Sequence, residues 1–162
     1  MVERLPSLFT WIKMAINFFE EEIKSSLTNK RMVKEWIKQI ASKKGFTIVT
    51  LNYIFCSDEY LLDININYLN HDTYTDVVTF DQSEKEIEIE GDIYISIDRV
   101  KENANNQQTI YKEELLRVLA HGLLHLCGFK DKTKVDKSEM RNEENISLSL
   151  YPPSTVPRGT VK

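Results

Sequence analysis

The chain has 162 residues, enough for one domain with a sizeable hydrophobic core, and its 41% hydrophobic content is that of an ordinary globular protein. This composition excludes a largely disordered chain. The formal net charge of −4 lacks the basic excess of a general nucleic-acid binder, so any RNA would have to bind through a local patch. We therefore expect one folded domain over residues 1–150.

The amino-terminal part carries an apolar stretch at residues 8–19, which Lys13 interrupts and no small-residue cleavage site follows. A secretory signal is therefore not expected, and no stretch reaches the ~20 apolar residues of a membrane-spanning helix. Cys56 and Cys127 lie far apart in apolar surroundings, which indicates free thiols in a reducing compartment. These features predict a cytoplasmic protein without a membrane partner.

The first half of the chain alternates between strand and helix patterns. Residues 16–23 predict a strand, and apolar residues at helical spacing over 33–40 predict a helix that ends near Gly45. Residues 49–55 alternate as a second strand. Ser57 and Asp58 are suited to cap a second helix, which would present three apolar side chains to the core: Leu61, Ile64 and Tyr68.

In the second half, residues 77–80 and 87–97 predict two more strands around a polar turn at 82–86. Asp98 is expected to cap a short helix and Thr109 to cap a long buried one. A last helix is predicted at about 137–147, and residues 151–162, which contain three prolines, are expected to form an irregular tail. The prediction is a single α/β domain with a mixed four-stranded sheet packed with helices, around a central buried metal-ligand helix.

The segment 121–131, HGLLHLCGFKD, carries the strongest chemical signal. His121 and His125 are four residues apart and share one face of a helix. Gly128 can adopt the left-handed conformation that ends a helix, which would bring the Asp131 carboxylate back towards both imidazoles. Two imidazoles and a carboxylate, with a position left for water, form the pattern of a catalytic zinc site. We expect one Zn²⁺ per chain, bound by these three residues.

Other interpretations of this segment remain open. Paired histidines can simply pack, but this helix is apolar nearly all round, and buried imidazoles need partners for both nitrogens. The same ligand types also occur in non-haem iron enzymes, so zinc is a preference. Cys127 is expected to be a packing residue rather than a ligand. Metzincin proteases carry a glutamate after the first histidine, where this chain has Gly122, so peptide hydrolysis is not expected.

The segment resembles the signature of the YbeY family of rRNA maturation endoribonucleases, H-G-x-L-H-L-x-G-[YF]-D-H. Residues 75–80, TDVVTF, and 91–96, GDIYIS, are similar to that family's T-D-V-L-S-F and G-D-I-x-I-S blocks. The resemblance implies an α/β fold and a zinc-dependent, single-strand-specific endoribonuclease. It also implies a role in 16S rRNA 3′-end maturation and ribosome quality control, with rRNA of the small subunit and ribosome-associated proteins as partners.

The chain departs from the family pattern at two places. Lys130 and Asp131 occupy the last two signature positions, where the family has Asp and His, so the third ligand would be a carboxylate. Leu69 occupies the position of a family arginine, and His71 that of a lysine. If the arginine stabilises phosphate charge, another cation such as His71, Lys130 or Arg99 must replace it. Five basic residues follow the ligand helix: Lys130, Lys132, Lys134, Lys137 and Arg141. They either supply further positive charge beside the site or form only a solvated loop.

The expected catalytic groups are Asp76 and His71 as proton relays, with water on the metal as the main candidate nucleophile. Asp92 lies in a matching block but equally suits a turn. Two other functions stay open: a ribosome-associated factor whose metal is structural, and a metal-dependent hydrolase of another substrate, such as an amidase. An amidase would need a carboxylate base from outside the motif, whereas a structural metal would need a fourth protein ligand.

Overall fold

The structure is a computed structural model, which describes residues 14–70 and 73–153. The described residues form four strands and five helices, in the order β1 (Ala15–Glu21), α1 (Lys30–Lys43), β2 (Thr47–Cys56), α2 (Asp58–Leu69), β3 (Val77–Asp81), β4 (Glu88–Ser96), α3 (Ile97–Asn106), α4 (Tyr111–Leu126) and α5 (Lys134–Ser149). The expected α/β domain with a mixed four-stranded sheet is confirmed. Among these helices, none is long and apolar enough to cross a membrane.

The sheet has the strand order β1-β2-β4-β3. Strands β1, β2 and β4 run parallel, and β3 pairs antiparallel with β4 along the edge. The parallel pairs are joined by helical crossovers, as parallel strands require. Because β3 is the edge strand, the segment that leads into it, residues 73–76, lies at the border of the sheet and is free to line a cleft.

The larger core lies between one sheet face and the helices α1 and α4. It includes Tyr53 and Ile93 from the sheet, Trp36 from α1 and Leu119 from α4, all at most 1% exposed. The hydroxyl of Tyr53 donates to the Leu119 carbonyl at 3.0 Å, so this buried polar group is satisfied. Helix α4 is thus central and buried, as predicted.

A smaller core lies on the opposite sheet face, under α2. It is formed by Cys56, Leu61, Ile64 and Val78. The prediction that Tyr68 also faces this core is wrong, because its side chain is 73% exposed.

Two helix starts differ from the prediction. Ser96, rather than Asp98, caps α3, and its hydroxyl accepts from the Arg99 amide at 3.2 Å. Ile110 is the N-cap of α4 without a side-chain hydrogen bond, and the buried Thr109 hydroxyl has no hydrogen-bond partner among the described residues. A hydroxyl caps a helix only when the backbone turns it towards the free amides, which composition alone does not reveal. Of the predicted tail, only residues 151–153 are described, so that boundary stays a prediction.

Candidate metal centre and its cleft

His121 and His125 lie one turn apart on α4, and their rings meet in front of the helix. Their Nε2 atoms are 3.0 Å apart. The ring planes are nearly perpendicular, at 84°, with centroids separated by 4.5 Å. The four-residue spacing therefore brings both imidazoles to one point, as the sequence predicts.

The turn after α4 brings the Asp131 carboxylate to the same point. Gly128 has a φ of +99°, and two hydrogen bonds close a Schellman motif: the Gly128 amide donates to the His125 carbonyl and the Phe129 amide to the Leu124 carbonyl. The chain reverses there. Asp131 Oδ2 lies 3.1 Å from His125 Nε2 and 3.3 Å from His121 Nε2.

The other nitrogen of each imidazole is already engaged by an acceptor. His121 Nδ1 lies 2.7 Å from Glu144 Oε2, and His125 Nδ1 lies 3.0 Å from the Phe129 carbonyl oxygen. Both acceptors require a proton on Nδ1, so in the neutral rings the Nε2 lone pairs face each other and the Asp131 oxygen. Three electron-rich atoms that converge in this way are stabilised by a shared cation.

These three residues fit a zinc ion by both donor type and spacing. Tetrahedral zinc with bonds of about 2.0–2.2 Å places neighbouring ligand atoms roughly 3.3–3.6 Å apart. The three ligand atoms here are separated by 3.0–3.3 Å, and His121, His125 and Asp131 form a group that could hold a metal. The ligand atoms therefore lie at, or a few tenths of an ångström below, the spacing that a tetrahedral zinc ion requires.

Glu144 on α5 anchors His121 within a buried network of charges. It is only 6% exposed and also accepts hydrogen bonds from Arg117 at 3.1 Å and Arg141 at 3.4 Å. Burial alone would raise the pKa of Glu144, but its bonds to His121 and Arg117 leave the pKa below its ordinary value. The carboxylate therefore stays ionised and holds the His121 ring in place.

Burial alone would lower the pKa of His121. The hydrogen bond and charge of Glu144, together with the charges of Asp76 and Asp131, outweigh burial and leave the pKa raised. Three carboxylates therefore act on this imidazole, and Asp131 among them also reaches the point where the two Nε2 atoms meet.

Sequence reasoning missed Glu144, which lies 23 residues from His121 in the chain. One signal was present: Met140, Glu144 and Ser147 recur at helical spacing, and all three are buried on α5. A glutamate on the buried stripe of a helix needs a partner, but the sequence does not reveal that the partner is His121.

The ligand atoms open onto a cleft of about 390 Å³, which we call the metal cleft. Besides the three ligands it is lined by Asn65, Leu69, Thr73, Tyr74, Thr75, Asp76, Val77, Val78 and Thr79. The structure therefore brings Asp76 into the cleft with the histidines. Asp92 lies elsewhere, where it accepts a hydrogen bond from Asn52 at 3.0 Å, and His71 falls outside the described residues.

The described lining of the metal cleft contains no lysine or arginine. Leu69 does face it, so the position of the family arginine is at the site but is apolar here. Arg99 is held by Asp58 at 3.1 Å and stacks on the ring of Tyr74, and it is not one of the residues that line the cleft. The basic run after α4 is exposed, and none of its members lines the cleft: Lys130, Lys132, Lys134, Lys137 and Arg141.

Cys127 is half-buried and does not belong to the ligand group. Burial raises the pKa of its thiol to about 12, against a smaller opposing effect of Lys44. The position of Cys127 outside the ligand group agrees with the packing role expected for it.

Gly122 lies where α4 packs closely against Ile93 of β4. A Cβ placed on Gly122 would be 2.7 Å from Cγ2 of Ile93, which is too close for any side chain. A glutamate, the residue that metzincins carry at this position, therefore requires a shift of Ile93 or of the helix. The packing of the fold thus disfavours the protease base at this position.

Together these observations define a single α/β domain with a two-histidine, one-carboxylate centre at the edge of its sheet. The protein-family model described as "Endoribonuclease YbeY" matches residues 15–151. The chain belongs to the YbeY family.

Two relatives with the name endoribonuclease YbeY illustrate the similarity. The protein from Cytophaga hutchinsonii is 56% identical over 135 residues, which are 83% of this chain and 94% of the relative. The protein from Amoebophilus asiaticus is 44% identical over 136 residues, or 84% of this chain and 92% of the relative. A solution structure from Thermotoga maritima covers 88% of this chain and 99% of its own, with a TM-score of 0.59 and 24% identity, which supports the fold.

Proposed function

We propose that this chain is a zinc-dependent endoribonuclease specific for single-stranded RNA, which acts in 16S rRNA 3′-end maturation and ribosome quality control. Family membership supports the endoribonuclease activity and an RNA substrate. The resemblance of residues 75–80, 91–96 and 121–131 to the family's motifs supports a role at the ribosome, with rRNA and ribosome-associated proteins as partners in the cytoplasm.

One observation carries the metal assignment. The Nε2 atoms of His121 and His125 converge with Asp131 Oδ2 within 3.3 Å, while both Nδ1 atoms are occupied by other acceptors. These three residues would hold one Zn²⁺. Zinc bound there supplies a Lewis acid that activates water and polarises a phosphoryl oxygen.

The chain's own residues would prepare the cleft for this chemistry. Glu144 fixes the His121 ring and the Phe129 carbonyl fixes the His125 ring, so neither ligand has to be ordered when RNA binds. Asp76 lines the same cleft and is our candidate for the group that accepts the proton of the attacking water. His71 is a second candidate for this relay.

Charge on the phosphate must be stabilised without the family arginine, because Leu69 takes its place. The described lining offers neutral hydrogen-bond donors instead, such as the hydroxyls of Thr73 and Thr79, whereas the Asn65 amide already donates to the Thr73 carbonyl at 2.8 Å. Neutral donors stabilise an anion less than a guanidinium does. We therefore expect RNA cleavage that is slower than that of relatives with the arginine.

The absence of lysine and arginine from the described lining also favours a second candidate, a ribosome-associated factor whose metal is structural. Two observations oppose this structural-metal candidate. The three ligand residues open onto a cleft, and Cys127 is not part of the ligand group and so does not supply the fourth ligand that a structural metal needs. The amidase alternative keeps one supporting feature, since Asp76 provides a carboxylate in the cleft.

The test is cleavage of a labelled single-stranded RNA by the zinc-loaded protein, beside the same sequence as a duplex. His125→Ala, purified identically and checked for folding by circular dichroism, is the matched control. Cleavage of the single strand alone, lost in His125→Ala, supports the proposal. If zinc is bound and neither protein cleaves RNA, the structural-metal candidate replaces it.

A further inference from the structure

Two large apolar side chains are exposed within the metal cleft. Tyr74 is 46% exposed and Leu69 is 39% exposed, and both line the cleft together with the metal ligands. Exposed apolar side chains that are grouped in a cleft mark a ligand-binding surface. The aromatic ring of Tyr74 further indicates a ligand with a flat face, because flat groups stack on rings.

The Tyr74 ring is fixed before any ligand arrives. Its hydroxyl donates to Glu59 Oε1 at 2.8 Å, and Arg99 lies over one face of the ring, with Cζ 4.9 Å from the ring centroid. Asp58 in turn holds Arg99 at 3.1 Å. Arg99 does not line the cleft, so the ring face that lines it is the one opposite Arg99.

The backbone on both sides of Tyr74 is anchored as well. The Asn65 side chain donates to the Thr73 carbonyl at 2.8 Å, and the Ser96 amide donates to the Asp76 carbonyl at 2.9 Å. A ring held in this way loses little conformational freedom when a ligand stacks on it. Tyr74 is therefore a preorganised flat surface in the metal cleft.

The charges around this ring determine which flat ligand fits. A cationic ligand on the free face would be opposed by Arg99 across the ring. An anionic group finds no lysine or arginine in the described lining, which instead carries Asp76 and Asp131. A flat ligand without charge meets neither obstacle.

A nucleobase is such a ligand. Bases stack on aromatic side chains whatever their sequence, with a gain in affinity of about fivefold to 150-fold per base. Bases inside a duplex are already stacked on their neighbours, so a protein ring receives only a base that is unpaired and turned out.

We propose, on the basis of the endoribonuclease function put forward above, that the free face of Tyr74 is a subsite for one unpaired nucleobase of the RNA. Leu69 forms the apolar border of this subsite. The subsite gives the chain an uncharged means of holding RNA where leucine has replaced the family arginine. It also accounts for the expected preference for single strands, because a paired base is not free to reach Tyr74.

The test compares adenosine 5′-monophosphate (AMP) with ribose 5-phosphate, which lacks the base, by two-dimensional amide NMR of the zinc-loaded full chain. Neither compound contains a phosphodiester bond, so binding is measured without cleavage. We expect AMP to bind at least about fivefold more tightly, with saturable shifts at the amides of Tyr74 and Thr75. Equal affinities, or the absence of AMP shifts at these amides, would overturn the proposal.

Variants at Tyr74 isolate the contribution of the ring. Tyr74→Phe should keep the AMP affinity within about twofold, whereas Tyr74→Ala should bind AMP and ribose 5-phosphate equally. Tyr68→Ala is the matched control, because Tyr68 is an exposed tyrosine on α2 that does not line the metal cleft, and it should change the AMP affinity less than about twofold. A Tyr74→Ala variant that still prefers AMP would overturn the proposal.

Cleavage of single-stranded RNA separates this subsite from the nuclease function. Tyr74→Ala should raise KM about tenfold and keep kcat within about twofold, because substrate and transition state make the same base contact. A Tyr74-dependent preference for AMP, found without any RNA cleavage, would support the base subsite and contradict the nuclease function. RNA cleavage without a preference for AMP would support the nuclease function and overturn the base subsite.

Discussion

Glu144 on α5 accepts a hydrogen bond from His121 on α4, with 2.7 Å between Oε2 and Nδ1. This contact connects the last helix to the metal centre. It explains why a glutamate is only 6% exposed on α5 and why the His121 ring presents Nε2 towards Asp131. A carboxylate that orients a ligand histidine is a recurrent device of metal sites.

Glu144→Gln should weaken zinc binding by about tenfold to a hundredfold, because the amide is neutral and orients the ring less strongly. Competition with a chromophoric chelator measures this affinity directly. Glu139→Gln is the control, since Glu139 is exposed on the same helix and does not contact His121. Equal affinities of the two variants would show that Glu144 does not support the ligand.

Asp131 occupies the position of a histidine in the family signature, and both residue types can bind zinc. We expect Asp131→His to retain one zinc per chain and Asp131→Ala to lose most of its affinity. Metal analysis after dialysis against a weak chelator distinguishes these variants. Retention of a full zinc equivalent by Asp131→Ala would remove Asp131 from the ligand set.

Gly122→Ala should destabilise the fold by up to about 2 kcal/mol. Overpacking against Ile93 costs roughly 1–3 kcal/mol, and the better helix propensity of alanine offsets about 1 kcal/mol of it. Urea denaturation measures the change. In the Ile93→Ala background the cost of Gly122→Ala should be smaller, because the clashing methyl group is gone. An unchanged cost in that background would place the strain elsewhere.

Glu114 is 4% exposed on α4, and its pKa is raised, mainly by burial. A carboxyl with a raised pKa contributes stability below its unfolded pKa and loses it as pH rises through the folded value. Glu114→Gln should therefore raise the melting temperature more at pH 8 than at pH 4. Glu113→Gln, an exposed neighbour, should show no such difference. A larger gain at pH 4 would contradict the assignment.

The sequence predicted the elements whose signals are local. Alternating strands, the helical spacing of His121 and His125 and the glycine turn at Gly128 depend on neighbouring residues only. Asp131 was predicted as a ligand for the same reason, because it follows the turn closely.

What the sequence did not reveal depends on contacts between distant elements. Glu144 reaches His121 only because α5 packs on α4. The start of α4 at Ile110 rather than after a Thr109 cap likewise reflects the packing of the chain, which leaves the Thr109 hydroxyl buried.

The most direct test of the central claim is a zinc titration of metal-free protein, followed by the initial rate of cleavage of a labelled single-stranded RNA. The account predicts that the rate rises linearly and stops rising at one zinc per chain, and that His121→Ala shows no rise. A rate that does not depend on zinc, or that equals the wild-type rate in His121→Ala, would contradict it.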